Sequence, residues 1–190
     1  IPFQTNTYIF ECIFFDLPTV GQHQIYDSTG THFYFSGGSG ALSLIVEGYS
    51  CGSFVVTSEI QQQASFKLVM TTNGTTADYE AFINGSSIGT LTRNPSFPPS
   101  TATTAKLGEY RNVGINADFK MADWKTYKNG VLETDIPLID SATDQTGNST
   151  PTATDVSFVS QSLSGVDPND PTQCALIENP DGKCFNTYAT

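Results

Sequence analysis

Apolar residues along this chain recur at every second position, and no window longer than about ten residues holds a helical repeat. Runs rich in β-branched and aromatic residues stand at 7–17 (TYIFECIFFDL), 31–36 (THFYFS), 41–47 (ALSLIVE) and 53–57 (SFVVT), separated by clusters such as SGGSG. Each predicts a strand, and the short spacing predicts antiparallel pairing. FKLVMTT at 66–72 and DYEAFINGSSIGTL at 78–91 continue the series. The second of these carries Asn84-Gly85 between two apolar runs, the signature of a tight hairpin. NPSFPPSTATT at 94–104 is loop by its prolines; AKLGEY, FKMADWKTYKNG and VLETDIPLID follow, the last two joined by a second hairpin turn at Asn129-Gly130. Strands and polar turns over this length predict an all-β fold of two antiparallel sheets packed face to face.

Two stretches break the alternation. In FKMADWKTYK, an unbroken strand points the indole of Trp124 away from Phe119 and Met121. A β-bulge near Ala122-Asp123 returns all three to one inward face, and a core role for Trp124 is expected over a platform for a sugar ring. In TYIFECIFFDL, Tyr8, Phe10, Cys12 and Phe14 occupy one face and Ile9, Ile13 and Phe15 the other, so both faces are apolar. Either the chain's own tail, including VSFVS at 156–160, covers the second face, or another copy does. In the latter case Ile1, Phe3, Tyr8, Ile9, Phe10 and Ile13 form an assembly segment that adds as a strand to a neighbour's sheet edge and propagates as a filament.

With 190 residues the chain suits one domain with a substantial core and an extension. The expected division is an N-terminal arm at 1–6, a sandwich at 7–140 completed by a strand near 155–160, and a Thr/Pro-rich, loop-rich connection and tail at 141–190. Charged residues make up only 14%, and the net charge of -11 repels a phosphate backbone, which argues against nucleic acid as a partner. No apolar run reaches the length that a membrane-crossing helix needs. A start at Ile1 rather than Met suits a processed export product. Four cysteines, Cys12, Cys51, Cys174 and Cys184, with no C-x-x-C pair, suggest disulfides rather than zinc. A local Cys174–Cys184 clasp, leaving Cys12 with Cys51, is one of three pairings. Sequons at Asn73, Asn84 and Asn148 permit glycosylation, and the expected location is extracellular or at a cell or virion surface.

From about Thr7 to Asp140, the order of FKLVMTTNGTTADYEAFINGSSIGTL, AKLGEY and FKMADWKTYKNGVL resembles the concanavalin A-like jelly roll, especially its laminin-G-like branch. The resemblance implies a two-sheet sandwich, often with a glycan or protein site and often with calcium. The chain departs from the family pattern at Ala117-Asp118-Phe119, where a glycine is usual, and at Phe66, where the strand often begins with Trp.

Catalysis finds little footing. Glycosidases of this fold place paired carboxylates on one strand in an E-x-D-x-E pattern, which is absent; Glu11, Glu47, Glu80 and Asp123 stand singly. His23 and His32 have no nucleophile motif beside them. Asp167, Asp170, Asp140 and Asp144 are weak calcium candidates in turn-forming contexts, and no cofactor is expected. Tyr49, Tyr110, Asn112 and Tyr127 are the glycan-binding candidates. The expectation is a non-catalytic surface protein that self-assembles through its N-terminal strand with other copies as partners, the alternative being a lectin-like module that binds surface glycans.

Overall fold

The computed structural model describes residues 5–28, 31–38, 41–46, 49–54, 63–73, 76–93, 105–108, 120–138 and 142–152. The chain divides into Ile1–Phe158 and Val159–Thr190, and all described residues lie in the first. Among the described residues eleven strands run in order: β1 Asn6–Phe15, β2 Gly21–Ser28, β3 Thr31–Gly38, β4 Ala41–Val46, β5 Tyr49–Phe54, β6 Gln63–Thr72, β7 Ala77–Ile83, β8 Ser86–Arg93, β9 Lys106–Leu107, β10 Lys120–Lys128 and β11 Val131–Ile136. They form a six-stranded sheet, β11-β10-β1-β6-β7-β8, and a five-stranded sheet, β5-β4-β3-β2-β9, with every pair antiparallel. This is a two-sheet antiparallel sandwich, as the alternation predicts, and it agrees with the jelly roll that the resemblance implies. The strand expected near 155–160 and the whole tail lie outside the described residues.

The core forms where the two inner faces meet. β6 shows the pattern most plainly: Ala64, Phe66, Leu68 and Met70 are buried at every second position. β7 sends in Ala77, Tyr79, Ala81 and Ile83, while Phe33 and Phe35 of β3 and Leu42, Leu44 and Val46 of β4 meet them from the opposite sheet. Aromatic rings fill the centre. Phe10 lies 5.1 Å from Phe33 and 5.2 Å from Tyr26, centroid to centroid, and Phe14 meets Phe35 edge-on at 5.4 Å.

Trp124 belongs to this cluster. It is 2% exposed and stacks on Tyr26 at 5.5 Å with an interplanar angle of 12°. The expected bulge is present: between the pairs Glu11↔Lys125 and Ile13↔Ala122, β10 spends two residues, Asp123 and Trp124, against Cys12 alone. Asp123 takes the left-handed conformation at φ 54, and its N–H donates to the Pro137 carbonyl at 2.8 Å. Met121 and Trp124 therefore share the inner side, and Lys125 turns outward. Phe119 lies outside the described residues.

The two Asn-Gly turns do more than close hairpins. Asn84 donates its N–H to the Ser65 carbonyl and accepts from the Ser65 N–H through Oδ1, both at 2.9 Å, so the β7–β8 turn holds β6 as well. Asn129 repeats the device on β1: its N–H donates to the Thr7 carbonyl at 2.8 Å and its Oδ1 accepts from the Thr7 N–H at 2.9 Å. Both asparagines have positive φ, which Asn tolerates and an Asn-Gly hairpin turn requires. At the sandwich's β5–β8 side the sheets close on one another. A Cβ on Gly52 of β5 would collide with the Ile88 carbonyl of β8, so only glycine permits that approach.

Two expectations need correction. First, the expected assembly segment has no open edge from Tyr8 onward, where it is part of β1. β1 lies between β6 and β10, paired with β6 from Asn6 to Phe15 and with β10 from Tyr8 to Phe15. Both main-chain edges at Tyr8, Ile9, Phe10 and Ile13 are used within the chain, so these residues have no edge to add to a neighbour's sheet, and Phe10 is core at 3% exposure. Ile1 and Phe3 lie outside the described residues. Second, Cys12 is a free, buried thiol, not half of a disulfide. It sits between Phe10 and Phe14 on the inner face of β1, and burial, followed by the nearby charges of Asp123 and Glu11, pushes its pKa well up. The side chain of Cys51, and Cys174 and Cys184, lie outside the described residues.

Candidate functional site

The outer face of the six-stranded sheet carries the one concentration of mixed chemistry among the described residues. β1 contributes Ile9, Glu11, Ile13 and Phe15, all half-buried. Antiparallel register then lines up residues of five strands into rows across the sheet. One row reads Leu132, Tyr127, Ile9, Val69 and Glu80, from β11 to β7. The next, two residues along β10, β1, β6 and β7 and three along β11, where the register shifts, reads Asp135, Lys125, Glu11, Lys67 and Phe82. An apolar and aromatic row thus lies beside a row of alternating charge, about 7 Å away at the rise of an antiparallel strand.

Ion pairs organise the charged row. Lys67 Nζ lies 3.2 Å from Glu11 Oε1, and Lys125 Nζ lies 2.8 Å from Oδ1 of Asp123, the bulge residue. Burial pulls the Lys125 pKa down, but the bond to Asp123 and the charges of Asp123, Asp135 and Tyr127 outweigh it, and the ammonium ends above its ordinary value. The Tyr127 phenol is also raised, first by burial and then by the charge of Glu11. At neutral pH this face offers carboxylates that accept, ammonium groups and a phenol that donate, and an aromatic ring with aliphatic neighbours. Exposed pairs of this kind contribute at most about 1 kcal/mol each to stability.

Of the glycan-binding candidates, Tyr127 sits in the apolar row. Tyr49 begins β5, with its side chain outside the description, and Tyr110 and Asn112 lie outside the described residues. Glu11 and Asp123 do not stand singly: the bulge and the β1–β10 register bring them to one neighbourhood, whereas Glu80 lies two strands farther along. Lys67, Lys125 and Asp135 escape a sequence reading because each strand shows only one polar position in two. Asn129-Gly130 could have revealed part of it, since a two-residue turn sets Tyr127 opposite Leu132.

No group of three or more His, Cys, Asp or Glu among the described residues gathers closely enough to hold a metal ion. Asp144 is occupied by donors: its carboxylate accepts from the N–H groups of Asp135, Thr146 and Ser149 and from the hydroxyls of Thr146 and Ser149 at 2.8–3.1 Å. Asp140, Asp167 and Asp170 lie outside the described residues. The sequon asparagines Asn73, Asn84 and Asn148 are all exposed. Asn73 accepts from the N–H and hydroxyl of Thr76, and the Asn148 side-chain amide donates to the Glu133 carbonyl at 3.0 Å. His23 is a buried residue of β2 whose Nε2 lies 2.8 Å from the Val20 carbonyl. His32 stacks on Tyr34 at 6.3 Å.

No family model matches the chain, and no curated protein matches it. Among solved structures it is similar to the catalytic domain of a glycoside hydrolase family 131 protein from Coprinopsis cinerea, at 17% identity and a TM-score of 0.39, over 70% of this chain and 57% of that one. It is also similar to sheep galectin-11, at 14% identity and a TM-score of 0.33, over 64% of this chain and 90% of that one. An alginate lyase of polysaccharide lyase family 7 matches at 19% identity and a TM-score of 0.31, over 48% of this chain and 42% of that one. The chain thus spans little more than half the length of the glycoside hydrolase domain.

Proposed function

We propose that this protein is a carbohydrate-binding module acting outside the cell or at a surface, and that the outer face of its six-stranded sheet takes an extended, uncharged glycan. The observation that carries the reading is the pair of adjacent rows. A pyranose ring has apolar C–H faces and a rim of hydroxyls, so one row suits the first and the neighbouring row the second. Leu132, Tyr127, Ile9 and Val69 supply a shallow apolar strip, with Tyr127 as the ring for stacking. Asp135, Lys125, Glu11 and Lys67 supply donors and acceptors already held in place by their neighbours. The charges of that row largely cancel and the chain as a whole is strongly acidic, which favours neutral over anionic glycans. The reading is binding without catalysis: Glu11 and Asp123 each sit against a lysine and serve here as fixed acceptors. It is the lectin-like alternative raised by the concanavalin A-like resemblance. Assembly through the N-terminal strand loses its footing because β1 is enclosed.

A panel of neutral and acidic oligosaccharides, screened against the full chain by array and then by titration calorimetry, tests this. Binding to a neutral glycan is expected, and Tyr127→Ala should weaken it about tenfold, the equivalent of one aromatic contact of about 1.4 kcal/mol, with the melting temperature little changed. Absence of binding to every neutral glycan, or binding that Tyr127→Ala leaves untouched, refutes the assignment. Release of reducing ends from a bound glycan would replace binding with hydrolysis.

A further inference from the structure

The three sequon asparagines differ in what their side-chain amides do. Asn148 spends Nδ2 on the Glu133 carbonyl at 3.0 Å, within the loop gathered on the Asp144 carboxylate. Asn73 and Asn84 are held by the oxygen instead. Asn73 Oδ1 accepts from the N–H and hydroxyl of Thr76 at 2.9 and 2.7 Å, and Asn84 Oδ1 accepts from the Ser65 N–H at 2.9 Å. With Oδ1 turned toward β6, Nδ2 of Asn84 points away from it and bonds to no other described residue. The space over this turn is open: a Cβ built on Gly85 would meet nothing within 4 Å. What further separates Asn84 from the other two is an aromatic ring. In β7, Ala81 and Ile83 are buried, while Phe82 between them is half-buried on the outer face, and Asn84 follows it by two residues. The same place before Asn73 is held by Thr71, and before Asn148 by Thr146.

We propose that Asn84 is a site of N-glycosylation and that the ring of Phe82 seats the first sugar. The donor is a sugar carried on a lipid-linked pyrophosphate. Nδ2 of Asn84 forms the new bond to C1 of that sugar, the C1–pyrophosphate bond breaks, and one of the two Nδ2 protons leaves with the pyrophosphate. Oδ1 takes no part, so the bond from Ser65 and the Asn-Gly turn stay as they are. A sugar on Nδ2 lies at the β7–β8 end of the outer face, where the C–H face of a pyranose covers the exposed part of the Phe82 ring. The glycan therefore stabilises the strand as well as capping the turn. At Asn148 the same reaction takes a proton from an amide that ties its loop to β11, and no ring stands two residues before it. Export through a compartment that holds the lipid-linked donor is required; the binding of a free glycan is not. Tyr127, on β10, lies three strands from Phe82, about 14 Å at the usual strand spacing, and stays uncovered by that first sugar.

The full chain, secreted from eukaryotic cells behind a cleavable signal sequence and trimmed enzymatically to the first sugar, tests this. Peptide mapping should find the sugar on Asn84. Ser86→Ala abolishes the sequon and leaves Asn84 with its bonds; it should melt about 2–4 °C below the parent, the shift that one aromatic contact gives a domain of this size. In a Phe82→Leu background, which keeps the bulk and removes the ring, the same comparison should show no difference. Made in a bacterial cytoplasm, where neither carries sugar, the parent chain and Ser86→Ala should melt together. An unmodified Asn84, a sugar whose loss leaves the melting temperature unchanged, or a difference that persists without sugar overturns the proposal. A gain that survives Phe82→Leu overturns the seat on Phe82, and the comparison in the parent background stands even if Phe82→Leu does not fold.

Discussion

Replacing Trp124 with alanine separates the two roles that a lone tryptophan can hold in a sugar-binding sandwich. The indole is 2% exposed, stacked on Tyr26, and has Phe10 at 6.2 Å and Phe33 at 6.4 Å. Large-to-small substitution at such a site costs about 3–5 kcal/mol, the transfer energy of the lost ring plus the cavity it leaves. Three ring partners from both sheets, together with Ile136 opposite on β11, give the site little room to collapse, which places the cost near the upper end. Against a total stability of about 5–15 kcal/mol, a third or more disappears. For a domain of this size, about 4 kcal/mol lowers the melting temperature by about 8–16 °C. Urea denaturation followed by circular dichroism measures the loss. Fluorescence of the parent protein supplies an independent check, because Trp124 is the sole tryptophan and should be shielded from iodide until the chain unfolds. A Trp124→Ala variant that loses less than about 1 kcal/mol, or an indole quenched as readily in the native protein as in urea, refutes the packing described here.

Two further outcomes follow from buried groups. The Cys12 thiol should stay unalkylated by iodoacetamide in the folded protein at neutral pH and react once the chain is denatured, since burial and the charges of Asp123 and Glu11 disfavour the thiolate; peptide mapping that finds Cys12 modified under native conditions contradicts this. For Asp144, burial raises the pKa, but the bonds from Asp135, Ser149 and Thr146 outweigh it and hold the carboxyl at about 2, below its ordinary 3.8. A lowered folded-state value means stability that is fully present above pH 3.8 and lost as pH falls through 2, on the order of 2 kcal/mol. Denaturation midpoints between pH 4 and 2 should therefore fall more steeply for the parent chain than for Asp144→Asn, and parallel curves would contradict the assignment.

The strands that show in the sequence are those whose inner residues are apolar without interruption, as in β6 and β7. The bulge in β10 was legible because a single extra residue reconciles Met121 with Trp124. β2 was not legible. Its Gln22-His23-Gln24 opening is polar, and a register shift between Gln24 and Tyr26 breaks the period of two that would otherwise mark Tyr26 and Ser28 as inward. Gln24 is buried only because its side-chain amide donates to the Tyr26 and Phe33 carbonyls, at 2.6 and 3.1 Å, and that satisfaction depends on β3 being alongside. A glutamine in sequence gives no sign of such a partner. β5 was placed a few residues late, at SFVVT, because the observed strand opens on YSCGS, a stretch of small residues without apolar alternation, in which Gly52 lets β8 approach.

The candidate site was hidden for a related reason. Glu11, Lys67, Lys125 and Asp135 form one row only because β1, β6, β10 and β11 are neighbours, and the order β11-β10-β1-β6 is not the order of the chain. The turn at Asn129-Gly130 sets β10 against β11, a local relation that sequence displays. What sets β1 against β10 is a pairing between residues more than a hundred positions apart, fastened where Asn129 meets Thr7. The same insertion decides what the apolar N-terminal strand is for. With polar neighbours on one side, IFECIFF would be an edge strand with sticky flanks. Between β6 and β10, its inner residues become the centre of the core and its outer residues the middle of the sheet's outer face. The double apolar pattern marks the strand that gives one face to the core and the other to the candidate site.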